Sequence, residues 1–504
     1  MSRNPSSILP TPGGGDEDPV VAATKETVLL DIDGNTWTIG DAIEGTQIFG
    51  ATGSGKTTGS GAMLANRFLD KQCGNFGGLV LTAKPEELKT WERYLARAKR
   101  EQDKVVFDPK SGYQFNFLDY EFNRPDDPSA DGKRLTLNIV SLFMATLSTG
   151  ETGANTDPYW NDALRELLTH TIDLADMGCG ELELPDLAEI IRSAPQSKSE
   201  LRSPTWQKSR CFELLQAACA DAERLKEENP DRYGDLVQTV AYWLGDFPNL
   251  SDRTRSIIVS SFTGKTAGLL RSPLRRMFCT KATPETDKVR PTETHKGKII
   301  IVNLPVKEYG EVGRFAQIIY KTVWQRATER RQLTGEWRPV FLWADEAQYF
   351  VTQEDMLFQQ TARSKMAATV YLTQNLPNYH AALGSRNGNA ATESLMGNLQ
   401  TKIFHANGDP ATNEWAERLF GKWVAIRGGD SQNTGGTTPS QTSESHHDNI
   451  EPIVWANDFA ALQTGGPAHD FTVDAFIYKA GRIWKENGEE VRKKIFEFPQ
   501  YLGK

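Results

Sequence analysis

The chain has 504 residues, 38% of them hydrophobic and 24% charged, with a formal net charge of −9. That makeup is ordinary for a soluble globular protein, and the length suggests two or three units. The acidity excludes a surface that coats duplex DNA all over, so any nucleic-acid contact must be local, in a channel or groove. Cys73, Cys179, Cys211, Cys219 and Cys279 form no C-x-x-C pair, which excludes a zinc ribbon or a disulfide framework and points to a reducing cytoplasm. Neither a signal peptide nor an apolar run of about 18 residues is found, so no membrane span is expected.

Residues 1–24, rich in Ser, Pro, Gly and Asp, read as a disordered tail. Thr27 to Ile39 reads as a hairpin turning at Asp33-Gly34-Asn35. Thr46-Gln47-Ile48-Phe49 is a short strand, and Gly50-Ala51-Thr52-Gly53-Ser54-Gly55-Lys56-Thr57 meets the P-loop pattern at every position. Its glycines let the backbone curl, so that successive N–H groups face an anion. Lys56 would reach the β- and γ-phosphates of ATP, and Thr57 would give Mg²⁺ a hydroxyl. Thr58, which opens the predicted helix to Phe68, completes the candidate phosphate-binding set.

Gly77 to Lys84 and Lys104 to Asp108 read as further strands, with a helix opened by Pro85-Glu86-Glu87 between them. Strand, helix, strand predicts a parallel α/β sheet carrying the P-loop at a strand's carboxyl end. The first part of this nucleotide-binding unit is placed at 25–117. From 118 to 295 strand signals vanish and helical spacing takes over, beginning well at Asp157-Pro158, so an all-α domain is predicted as an insertion. The core resumes in 296–504, with strands at Lys298 to Leu304, Thr369 to Gln374 and Thr401 to Phe404. Residues 427–450 carry almost no apolar pattern and read as a flexible loop, and Phe471 to Tyr501 as a hairpin around Glu486-Asn487-Gly488.

Pro339 to Ala344 delivers Asp345 and Glu346 at a strand tip, a Walker B pattern. Asp345 would hold Mg²⁺, and Glu346 would polarise the attacking water as general base. Gln374 ends the next strand, where an amide can orient water or sense the γ-phosphate, or else bond a loop. Arg363 lies between those two strands and suits either transition-state charge neutralisation, often across a subunit boundary, or a solvated helix end. Lys265, Arg271, Arg275, Arg276 and Lys281 form a basic run that fits a solvated face or a DNA contact. None of the seven histidines, including His446-His447 in the predicted loop, has metal-ligand spacing.

Taken in order, these motifs resemble the type IV secretion coupling proteins, the TraG/TraD-like conjugative DNA-transfer ATPases. The resemblance covers roughly residues 45–480 and rests on the P-loop, Leu79 to Glu87, Phe115-Asn116-Phe117-Leu118, Asp157 to Leu164, Phe341 to Glu346, Ala362 to Asn375 and Asn398 to Gly421. It implies a RecA-like P-loop NTPase core with an inserted all-α domain, using ATP and Mg²⁺. It also implies a homohexameric ring that threads DNA or protein through its centre. Partners would be DNA, a relaxase or other secreted cargo, and secretion or membrane-anchor subunits at a bacterial inner membrane. Two departures stand out. Members usually carry N-terminal membrane helices, whereas only a polar tail precedes this motor. Many have Asp-x-Lys-Gly-Glu where this chain has Thr82-Ala83-Lys84-Pro85-Glu86, which leaves the role of Lys84 open. A HerA/FtsK-like DNA motor in repair or defence shares the same Walker chemistry, and a nucleotide-switched, cargo-recruiting adaptor is a third reading.

Overall fold

The computed structural model describes residues 18–127, 134–147, 158–384, 388–432 and 442–501. Fifteen strands are found among them. A hairpin, β1 (Val28–Ile32) and β2 (Asn35–Thr38), precedes β3 (Thr46–Phe49), β4 (Gly77–Leu81) and β5 (Lys104–Phe107). After a long helical stretch come β6 (Ile299–Val302), β7 (Val340–Ala344), β8 (Ala367–Thr373) and β9 (Thr401–Phe404). The last are β10 (Lys422–Gln432), β11 (Thr442–Pro452), β12 (Thr472–Lys479), β13 (Trp484–Glu486), β14 (Glu489–Val491) and β15 (Ile495–Pro499).

Nine of the described strands form one sheet in the order β15-β12-β9-β3-β8-β7-β4-β6-β5. From β9 to β5 all neighbours run parallel, while β12 and β15 add an antiparallel edge. The parallel strands are continuous apolar runs because both faces are covered. Along β7 the side chains alternate between two cores: Val340, Leu342 and Ala344 enter one, Phe341 and Trp343 the other. The second core is closed by β1–β2, the helix Ala62–Leu69 and the helix Glu86–Arg97, through Trp37, Phe68 and Trp91.

Against the first face pack the helix Val306–Arg330, kinked at Gly310 (φ 58°), and the helices of the long insertion. Between Phe107 and Ile299 every described regular element is helical. This layer has no core of its own: Phe143, Leu167 and Trp243 belong to the same contiguous apolar cluster as Leu79 and Leu342 of the sheet. Asp157, read as a helix cap, lies outside the described residues, and the helix there runs Pro158–Cys179.

Three stretches differ from expectation. Residues 19–24, assigned to the tail, belong to a short helix, Pro19–Lys25; Asp18 caps it by accepting from the Val20 N–H at 2.8 Å, and Pro19 suits the first turn. The stretch 427–450, read as a flexible loop, falls largely on the antiparallel ribbon β10–β11, with residues 433–441 outside the described set. Backbone ladder bonds can hold such a ribbon without any apolar alternation, so hydrophobic pattern did not reveal it. The C-terminal region is richer than one hairpin. Asn487-Gly488 turns β13 into β14, while β12 and β15 on either side pair with each other in the main sheet.

Candidate nucleotide site

β3, β8 and β7 end side by side, and the loop Gly50–Lys56 springs from β3. The Gly50 N–H donates to the Thr373 carbonyl (3.3 Å) and the Ala51 N–H to the Ala406 carbonyl (2.9 Å), which pins the loop between the ends of β8 and β9. Gly53 and Gly55 take φ values of +80° and +81°, a region that suits glycine. The chain then enters a helix that opens as a π turn over Thr57–Gly61 and continues as α over Ala62–Leu69. The Gly59 N–H already donates to the Gly55 carbonyl (2.7 Å), while the N–H groups that open the turn at Thr57 and Thr58 have no partner further back in the helix and suit an anion.

Close packing explains one more glycine and gives Gly55 a second reason. A Cβ on Gly55 or on Gly59 would lie 2.3 Å from a Val473 methyl. The antiparallel edge therefore presses directly on the loop. Gln500 Nε2 donates to Thr58 Oγ1 (2.9 Å), and the Tyr501 N–H donates to the Thr58 carbonyl (2.8 Å). Thr58, a candidate phosphate ligand, thus has its hydroxyl tied to the C-terminal strand.

Beneath the loop lies His405, fully buried. The Ser60 hydroxyl donates to its Nε2 (2.7 Å), and its Nδ1–H donates to the Asp474 carbonyl (2.8 Å). The carbonyl has no proton to give, so the tautomer is fixed. Burial, aided by the Lys56 charge and opposed by the Asp474 carbonyl, pushes the imidazole down to about 4.

The carboxyl end of β7 lies against the loop. Thr57 Oγ1 donates to Asp345 Oδ2 at 2.8 Å, across 288 residues of sequence. Asp345 Oδ1 accepts the Glu346 N–H (2.9 Å), and Glu346 takes a left-handed backbone conformation (φ 52°). That conformation costs a non-glycine residue about 1 kcal/mol or more, so its surroundings must enforce it. Glu346 is 6% exposed, and both its carboxylate oxygens are engaged: Lys84 Nζ donates to Oε1 (2.7 Å) and Gln348 Nε2 to Oε2 (3.0 Å). Burial works against its charge, but the Lys84 and Gln348 hydrogen bonds and the Lys84 charge outweigh it and hold the carboxyl below its usual range. Gln348 in turn accepts from the Thr373 hydroxyl (2.8 Å) at the end of β8.

Gln374 follows β8 directly, beside the loop, and its carbonyl accepts from Asn407 Nδ2 (2.9 Å). Arg363 is not in this group. It ends the helix before β8, is 63% exposed and pairs with Glu44 (3.4 Å), which precedes β3. It therefore sits at the amino end of β8, a seven-residue strand away from the loop, roughly 20 Å. Within one chain it cannot reach the loop. Of the basic run, Arg276 bonds the Pro109 carbonyl (3.1 Å) and Lys281 pairs with Glu181 (3.0 Å), while Arg271 and Arg275 are exposed. Sequence reasoning missed Gln348, Ser60, His405 and Gln500. Only Gln348 carried a signal, its place two residues after the acidic pair.

A P-loop and an acidic strand tip on a mostly parallel sheet define a RecA-like P-loop NTPase fold. That fold is the one of the bacterial conjugative coupling protein TrwB. The unbound TrwBdeltaN70 structure superposes with a TM-score of 0.60 at 13% identity, covering 96% of this chain and 91% of that one. TrwB with a non-hydrolysable ATP analogue gives 0.58 at 14% identity, covering 96% and 92%. TrwB with ADP and Mg²⁺ gives 0.52 at 13% identity, covering 96% and 91%. No protein-family model and no curated protein matches the sequence. Among the described residues no helix is long and apolar enough to cross a membrane.

Proposed function

We propose that the chain is an ATP-hydrolysing motor that moves DNA, alone or with attached protein, toward a type IV secretion channel. The observation that carries this reading is the Thr57–Asp345 contact of 2.8 Å, made at the mouth of an intact P-loop in a fold shared with a coupling protein solved with ADP and Mg²⁺. Hydroxyl and carboxylate are hard oxygen donors of the kind Mg²⁺ takes, so Thr57 and Asp345 fit as its protein ligands. When bound, the ion would neutralise charge on the β- and γ-phosphate oxygens.

The chain's own groups do the rest. Backbone N–H groups of Gly53 and of Gly55 to Thr58 would cradle the phosphates, and Lys56 adds a positive charge at the β/γ position. Glu346, held ionised, accepts a proton from the attacking water. Gln374, which follows β8 beside the loop, would orient that water. Arg363, out of reach in its own chain, acts on the site of a neighbouring subunit in a ring. The basic groups Arg271 and Arg275 are candidates for the DNA path. A ring with a basic channel reconciles DNA handling with a net charge of −9.

The test is ATP turnover with and without single- and double-stranded DNA, with Lys56→Ala as the blank and particle size recorded in the same buffer. Turnover stimulated by DNA in a ring-sized species is expected. Turnover indifferent to DNA refutes the translocase and favours protein cargo; no turnover in any oligomeric state leaves a nucleotide-switched adaptor. Mixing Arg363→Ala chains with Lys56→Ala chains tests the neighbouring-subunit role: partial recovery of turnover is expected only if Arg363 acts across the boundary.

A further inference from the structure

The role of Lys84 is the question the sequence leaves open, and the tip of β4 answers it. Lys84 Nζ lies 2.7 Å from Glu346 Oε1. It is not adjacent to the P-loop: β4 stands beyond β7 in the sheet, on the side away from β3. The whole β4 tip is built to fix this residue. The Ala83 and Lys84 N–H groups both donate to the Glu87 carboxylate, at 2.9 and 3.2 Å. One residue earlier, the buried Gln317 of the helix Val306–Arg330 closes a two-way clamp on Thr82. Its Oε1 accepts the Thr82 N–H (2.7 Å), and its Nε2 donates to the Thr82 carbonyl (3.0 Å) and to that of Leu304 (2.7 Å). The Lys307 N–H holds the Ala83 carbonyl (3.0 Å). A lysine that merely solvates a surface needs none of this support.

We propose that Lys84 is the positioning residue of Glu346, fixing one oxygen of its carboxylate while Gln348 fixes the other. This rests on the hydrolytic reading of the site. Glu346 stands in a left-handed conformation and has a flexible side chain. Held at one oxygen only, it swings. Held at both, it has a single direction, and a base presented in one direction is what the reaction needs. Lys84 acts through Glu346 and touches no phosphate.

The test is a double-mutant cycle on the full chain. Lys84→Met keeps the aliphatic stem, and the position is 43% exposed, so the fold is expected to survive with only a small drop in melting temperature. Turnover at saturating ATP is expected to fall about tenfold, with ATP affinity, read from a fluorescent analogue, unchanged. Lys84→Arg is expected to restore most of it. In the Glu346→Gln background, Lys84→Met is expected to add nothing. Three results overturn the proposal: a multiplicative loss in that background, a loss of nucleotide affinity (which would make Lys84 a phosphate ligand), or turnover that rises on removing Lys84 (which would make the pair a brake). A wild-type chain without turnover would instead overturn the hydrolytic reading, and this proposal with it.

Discussion

His405 takes up a proton near pH 6.5 when free in the unfolded chain, but in the folded chain only near 4. Between these values the unfolded state binds more protons, so stability rises with pH across the window and is lost as pH falls through it. The gap corresponds to about 3 kcal/mol at about 1.4 kcal/mol per pH unit, fully available because the ring is buried. The assay is urea unfolding of the wild type and of His405→Asn at steps from neutral pH down to about 4. Asparagine keeps a donor near the Asp474 carbonyl but cannot titrate. It is also expected to lower stability at neutral pH by about 1–3 kcal/mol, because the Ser60 hydroxyl loses its acceptor. His295, pushed down to about 3 by burial and by the Arg331 and Lys296 charges, titrates in both chains and cancels in the comparison. The wild type should therefore lose stability on acidification faster than His405→Asn, by the stated amount. Parallel pH dependences in the two chains would refute the assignment of a neutral imidazole beneath the P-loop.

Gly59→Ala should weaken nucleotide binding and cost about 1–3 kcal/mol of stability, because its methyl would overlap Val473; adding Val473→Ala should recover binding to a fluorescent nucleotide. Lys321→Met should cost about 3–5 kcal/mol, measured by thermal unfolding, because it strips the Asp355 carboxylate of its fully buried cation. The double change Lys321→Met with Asp355→Leu should not regain that loss, because Gln325, Tyr371 and the Thr352 N–H also donate to Asp355 and would be left buried without an acceptor. Asp345→Asn should weaken binding of ATP with Mg²⁺ much more than binding of ATP with the metal chelated, as titration with the fluorescent analogue would show.

What the sequence disclosed follows from the range of each signal. The β3–P-loop–helix unit and β7 with Asp345-Glu346 were legible because their patterns are local: apolar runs closed by glycines or acids. The helical stretch after Phe117 was legible as periodicity, but not that it shares its apolar core with the sheet, since a cluster joining Phe143 to Leu342 is a property of three dimensions. The ribbon β10–β11 was misread because polar strands held by backbone bonds leave no hydrophobic trace. At the site, the phosphate loop and acidic pair were visible as types at fixed spacing. The floor and flank of the loop were not: His405, Val473 and Gln500 are ordinary residues whose meaning comes only from what lies above them.

The buttressing of the P-loop by the C-terminal strands has a consequence for biosynthesis. The loop's side-chain supports come from far along the chain: Thr57 meets Asp345 across 288 residues, Ser60 meets His405 across 345, and Thr58 meets Gln500 across 442. A ribosome releasing this protein exposes Gly50 to Thr58 long before their floor and flank, His405 and Val473. Until β12 and β15 emerge, the nascent chain presents the phosphate-binding motif without the packing that shapes it. A chain cut before β12 is therefore expected to lack a shaped P-loop even though it carries the whole motif.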